Sequence, residues 1–377
     1  MKLQRITAVA RKEFIHVFRD IRSLIMGIAI PMMLLFLFGY ALTLDVDNVP
    51  LVVWDQSATP ASRDLVSRFS GSRYFSLRGY AGDYREIERA IDRRDALMAL
   101  VIPRGFAGDL QAGRQVRVQA IVDGSDSNTA TTALGYAEFI VSTYSRSLII
   151  AQIRRSADQP PRPPLAPEPR VWFNADLVSR NAIDPGLIAV IMMVIAALLT
   201  SLTVAREWET GTMEQLISTP LTGAELIIGK LVPYFCIGLF DLVVALLAGR
   251  FIFQVPMRGD RPLLLATSIL FLLVALALGV FISIVGKSQF AASQFAMVAT
   301  LLPAFLLSGF VFPIANMPIP LQAITHAIPA RYFVTILRGI YLKGIGIRVL
   351  AGDILFLAVF GTLIFALAVR KFRKKMG

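Results

Sequence analysis

The sequence predicts an α-helical integral membrane protein with six transmembrane helices and an inserted α/β extracytoplasmic domain. Three observations predict it. Of the 377 residues, 55% are hydrophobic and only 17% are charged, against ~25% charged in soluble domains, and the mean hydropathy is +0.64. Six runs meet or approach the ~20 apolar residues that a helix needs to cross the hydrocarbon core. Between the first two runs, a long stretch abandons that pattern for alternating strand-like and helix-like segments.

Residues 1–22 form an amphipathic interface helix, in which Val9, Phe14, Val17 and Phe18 face lipid while Arg11, Lys12, Arg19 and Arg22 face phosphate. The first span covers 23–44. Its apolar run is longer than that of a secretion signal, and Leu44-Asp45-Val46-Asp47 follows in place of a small-residue cleavage site, so it reads as a retained span. Residues 45–182 form the extracytoplasmic domain. Strands are expected at 49–54, 74–78, 96–102 and 116–122, and helices at 60–69, 83–93, 106–111 and 127–155. Such alternation argues for a small α/β domain. Asp55, with Ser57, Ser62 and Arg63 after it, closes the first strand; a turn cap is the simpler reading and a ligand loop the rival. The stretch 159–170 carries six prolines and reads as a stiff, extended spacer. Cys236 is the single cysteine, so the domain must hold itself by core packing, without a disulfide.

The second span covers 186–205 and is followed by a loop at 206–225. The third, fourth and fifth spans cover 226–248, 263–285 and 290–310. Residues 313–347, broken by Pro313, Pro318, Pro320 and Pro329, are short helices at the outer leaflet. The sixth span covers 349–369 and a basic tail covers 370–377. Lys and Arg crowd both ends, and an even number of spans returns both ends to one side, the cytoplasm. The net charge of +12 therefore does not indicate a nucleic-acid binder, because each basic cluster abuts an apolar run and suits anionic lipid instead.

The sequence carries no energy-converting chemistry of its own. Gly223 to Lys230 imitates a phosphate-binding loop, but the spacing is one residue too long, and Leu231 stands where Ser or Thr would hold magnesium. His16 and His326 are the only histidines, which argues against a metal site. The chain reads as no enzyme.

In the loop after the second span, Thr212–Ser218 forms two helical turns ended by Pro220, with Met213, Leu216 and Ile217 on its apolar side and Glu209 and Glu214 nearby. Insertion into a partner's cleft and rest on lipid headgroups are both open on pattern alone. Asp241 is the only ionised residue well inside a span; it is a polar site near a pathway, a partner of Arg250, or a carboxylate at a wet interface. Ala275, Gly279 and Ser283 repeat every fourth position, which permits close helix packing.

Several stretches together resemble one family over essentially the whole chain. They are Ala10-Arg11-Lys12-Glu13-Phe14 with Arg19-Asp20, Pro31, Phe38-Gly39-Tyr40, and Asp55 with Ser62-Arg63. Val171-Trp172-Phe173-Asn174, Pro185-Gly186, Arg206-Glu207-Trp208-Glu209, Gly211-Thr212-Met213-Glu214-Gln215-Leu216 and Thr219-Pro220 follow. Gly229-Lys230, Pro233-Tyr234, Leu307-Ser308-Gly309-Phe310, Pro329-Ala330-Arg331-Tyr332-Phe333 and Arg338-Gly339 complete the set. The chain resembles permease subunits of type-2 ABC exporters, in the branch with a large periplasmic domain after the first span.

The resemblance implies a bacterial inner-membrane subunit that pairs with a second permease, identical or a paralogue, and with separate ATP-binding-cassette ATPase subunits that hold ATP and magnesium. It implies a coupling helix bearing Glu207, Trp208, Glu209, Thr212, Met213, Glu214, Leu216, Ile217 and Thr219, and an interface helix bearing Arg11, Lys12, Glu13 and Arg19. It implies a cargo pathway along spans one, two and five, for which Met33, Phe36, Met192, Met193, Thr200, Asp241, Gln294, Met297 and Leu307 are the candidates. The outer domain would gate the exit or meet a periplasmic membrane-fusion adaptor. The rivals are a membrane receptor or scaffold that transports nothing, and an ion-driven transporter, which would need more buried charges and internal repeats.

Overall fold

The computed structural model describes residues 2–20, 25–41, 47–156, 173 and 179–372. The chain divides into two compact units, Met1–Leu44 with Arg170–Gly377, and Asp45–Pro169. Helix α1 spans Leu3–Arg19. Its buried residues Val9, Ala10, Glu13 and Val17 share one face, as their spacing of three to four dictates. This corrects the expected orientation of the helix, because Val9 and Val17 face the protein, while Phe18 is exposed. A π-helical turn at Ile25–Ala29 leads into α2, Ile30–Ala41.

In the second unit, β1 (Val49–Asp55) leads through α3 (Pro60–Ser70) to β2 (Phe75–Tyr80), and through α4 (Tyr84–Asp92) to β3 (Met98–Ile102). Then come α5 (Phe106–Gln111), β4 (Gln119–Val122) and α6 (Ser127–Ser156). The sheet order is β2-β1-β3-β4, with β1 parallel to both neighbours and β4 antiparallel to β3. Leu51, Val53, Met98, Leu100 and Ile102 pack on one face against Leu65 and Phe69 of α3 and Ala133, Ala137, Ile140 and Tyr144 of α6. Val52, Ala99 and Val101 pack on the other face against Ile87 of α4. Alternation along the strands thus builds a three-layer α/β unit. Asp55 is a turn cap: its Oδ1 accepts from the Ser57 and Ala58 amides at 3.0 Å, and its Oδ2 accepts from Ser62 Oγ at 2.6 Å. The spacer at 159–170 lies outside the described residues, as do the two ends of the expected first span and 373–377 of the basic tail.

The first unit resumes with α7 (Ser179–Glu209), α8 (Thr212–Ser218), α9 (Gly223–Phe251), α10 (Arg261–Gly286) and α11 (Gln289–Leu306). Two short helices, α12 (Ile319–Thr325) and α13 (Pro329–Arg338), precede α14 (Ile347–Lys371). Among the described residues, Ile183–Glu209 of α7 and helices α9, α10, α11 and α14 are long and apolar enough to cross a membrane, and Gly27–Tyr40 is a shorter apolar helix. The expected fifth span, 290–310, ends early, at Leu306. Gly309 adopts φ +80°, and the freed carbonyls of Gly309 and Phe310 accept from the Arg338 guanidinium at 2.9 and 3.0 Å. These bonds satisfy two carbonyls past the helix end that no helical amide reaches.

Helix α7 is central, with α2, α9, α10, α11 and α13 around it. Its contact with α10 is backbone on backbone. A Cβ at Gly279 would lie 2.0 Å from Thr200 Oγ1 and 2.4 Å from the Ala197 carbonyl. Thr200 Oγ1 donates to the Leu276 carbonyl at 3.2 Å, and Ser283 Oγ accepts from the Val204 and Ala205 amides at 3.0 and 2.9 Å. The small-residue stripe on α10 therefore serves packing within this chain.

Candidate functional site

The site is the corner where α7 ends, α8 crosses and α9 begins. Gly211 makes the turn, with φ +74°, a conformation that costs an L side chain roughly 1–2 kcal/mol. Thr219 extends the backbone after two turns of α8, and its hydroxyl donates to the Leu216 carbonyl at 2.6 Å. Helix α9 opens with a capping box. The Thr222 amide donates to Glu225 Oε2 at 2.9 Å and the Glu225 amide to Thr222 Oγ1 at 3.3 Å, satisfying two amides at the helix start.

The apolar side of α8 turns inward. Met213 is 1% exposed and packs, with half-buried Leu216 and Trp208, among Val204, Leu226, Ile284 and Phe372. The Ile217 side chain lies outside the described set. The face turned outward is polar and acidic, with Glu209, Glu214, Gln215 and Ser218 exposed. The sequence suggests apolar knobs for a partner; folding uses those knobs to seat α8 on its own chain, because burial of a Met side chain contributes ~1.5–3 kcal/mol.

Beneath α8 lies a network of ion pairs. Lys230 Nζ, on a side chain 1% exposed, sits 2.6 Å from Glu13 Oε1 and 2.9 Å from Glu207 Oε1. Lys12 Nζ reaches the same Glu207 oxygen at 2.8 Å. Thr212 Oγ1, at the start of α8, donates to Glu207 Oε2. Arg206 pairs with Asp20 at 3.3 Å and contacts His16 Nε2 at 2.8 Å. Glu209 Oε2 accepts from the Gln289 amide and side chain at 3.1 and 2.9 Å, tying α11 to the corner. The Lys2 amide donates to Glu225 Oε1 at 2.7 Å. Helix α1 can approach this closely because a Cβ at Gly229 would meet Val9 Cβ at 2.7 Å. Lys12, Glu13, His16, Arg206, Glu207, Thr212 and Lys230 all line a polar cavity of about 240 Å³. Arg11 and Arg19 are exposed on α1 and take no part in these bonds.

The expected pathway residues separate into two groups. Met33, Phe36, Gln294 and Met297 are exposed on α2 and α11, and Leu307 is half-buried. Met192, Met193, Thr200 and Asp241 are buried. Thr200 is fully enclosed in the α7–α10 contact, so its hydroxyl serves helix packing and faces no open surface.

Lys230, Arg206, Asp20, Gln289 and Glu225 carry much of this geometry, and sequence reasoning gave them no role in it. One signal was present in Lys230, a cation placed among apolar residues at the start of a span. Its partner Glu13 is 217 residues away, so no local pattern identifies the pair.

Residues 21–370 match the family described as ABC-2 family transporter protein. The chain is 36% identical over 376 residues to the probable multidrug ABC transporter permease YbhS of Escherichia coli, covering 99% of this chain and 98% of that one. It is 31% identical over 375 residues to the probable multidrug ABC transporter permease YbhR of the same organism, covering 99% of each. It is 28% identical over 338 residues to the inner membrane transport permease YhhJ of E. coli, covering 87% of this chain and 86% of that one.

Proposed function

The chain belongs to the ABC-2 family of transporter proteins, and from that premise we propose that it is the permease subunit of an ATP-driven exporter. The energy comes from a separate ATP-binding-cassette ATPase, which holds ATP and magnesium, so this chain is not itself the enzyme. Two permeases, identical or paralogous, pair in a bacterial inner membrane. Six spans place both termini in the cytoplasm and residues 45–182 in the periplasm, where the domain gates the exit or meets a membrane-fusion adaptor. Two of the relatives are named as probable multidrug permeases, which supports a varied cargo, and an apolar or amphipathic one suits a pathway offering Met and Phe side chains.

The observation that carries this reading is the outward face of α8. A short helix with Glu214, Gln215 and Ser218 exposed stands on a frame of ion pairs reaching α1 and α9. That is a rigid, acidic docking element for a cationic cleft. Seating by the buried Met213 lets α8 move as one body with the ends of α7 and α9. When ATP draws the ATPases together, the displaced α8 pulls α7, and the exposed residues of α2 and α11 reposition along the pathway.

Gentle purification of the tagged chain from native membranes tests the reading. An ATP-binding-cassette subunit should co-purify with wild type. It should be lost, together with export, in Glu214→Lys, which reverses an exposed charge and leaves membrane insertion intact. Wild-type export by that variant would remove α8 from the coupling path.

A further inference from the structure

We propose that Asp241 and the cavity it lines form a subsite for the protonated primary amine of an apolar cargo, an inference that rests on the exporter reading above. Asp241 is 6% exposed on α9, within a membrane-crossing helix. Its Oδ1 has no hydrogen-bond partner among the described residues. Charged groups inside spans are costly and normally meet a partner or a functional ligand. Arg250, the cation that the sequence offered, does not meet it: it is exposed and lies nine residues along the same helix, ~13 Å away along the axis.

The cavity beside Asp241 is about 20 Å³ in the space open to a water-sized sphere, little more than one such sphere fills. Met32, Leu35, Met192, Ile195 and Tyr234 wall it. A primary ammonium group fits that space and supplies the missing countercharge. Tyr234 lines the same space and would attract a cation that met its ring face, and the two flexible methionines adapt to an attached alkyl body. A trimethylammonium head is too large, so the site separates amines by size as well as charge.

The test is equilibrium binding of radiolabelled dodecylamine to the full chain in phosphatidylcholine nanodiscs, a lipid without a primary amine. Wild type should prefer dodecylamine to dodecanol by about tenfold or more and should reject dodecyltrimethylammonium. Asp241→Asn should abolish the preference. Asparagine is nearly isosteric and removes only the acid function, so the variant should assemble normally. Ala245→Leu, which fills the cavity and keeps the carboxylate, should also lose amine binding. Equal binding of amine and alcohol by wild type, or a preference that survives Asp241→Asn, overturns the proposal. Phosphatidylethanolamine added to the discs distinguishes the source: competition assigns the site to a lipid headgroup, and its absence to a free amine. The assay needs no ATPase. The exporter reading fails separately, by the absence of any co-purifying ATP-binding-cassette subunit, and that outcome leaves the subsite standing.

Discussion

Lys230 shows how a single side chain holds three helices together. Its ammonium group, 1% exposed, faces Glu13 of α1 and Glu207 of α7 from its own place on α9. Removing the cation leaves two carboxylates buried side by side, and breaking a buried pair in this way costs roughly 3–5 kcal/mol. Lys230→Met should therefore lower the midpoint of thermal unfolding in detergent markedly. Adding Glu13→Gln should recover part of the loss, because one orphaned charge then disappears. An unchanged midpoint in the single variant would mean that the network does not stabilise the fold. The sequence displayed each of these residues, but their meaning depends on chain separations of 217 and 23 residues. Glu13 also misleads a pattern reader, because a carboxylate on the buried stripe of α1 makes that face look wet.

At the scale of elements, the α7–α10 contact makes the sharpest prediction. Gly279→Ala should separate the two helices, since the new methyl would meet Ala197 backbone and no flexible side chain could yield enough to admit it. Overpacking costs typically 1–3 kcal/mol, read as reduced yield of monodisperse protein. Gly352→Ala on α14 is the control, because nothing lies within 4 Å of the added atom, and it should behave as wild type. Elements were the most legible part of the sequence. Five of the six expected spans are helices long and apolar enough to cross, while the first is a shorter apolar helix among the described residues; the α/β elements lie close to the expected positions, because period-two strands and capped helices write their limits locally. Another departure is the end of α11. Its early stop depends on Arg338 reaching the Gly309 and Phe310 carbonyls from 29 and 28 residues away, whereas the local sequence there is simply apolar. The apolar side of α8 was legible too, but hydropathy alone does not say whether such a face meets a partner or its own chain.

For the whole molecule, the proposed topology has a direct check. With Cys236, which is exposed, replaced by Ser, single cysteines at Ser125 and Gly377 should react with an impermeant reagent from outside and inside respectively. A cysteine at Ser218 should react from inside, and any other pattern refutes six spans. Asp241 was visible in the sequence as a lone charge in a span, but the size of its cavity was not, because that depends on how α2, α7 and α9 meet. Glu207 Oε1 is shared by Lys12 and Lys230, while its second oxygen holds Thr212. Helices α1, α7, α8 and α9 thus converge on one carboxylate. A load on α8 would therefore reach α1, α7 and α9 through that single carboxylate.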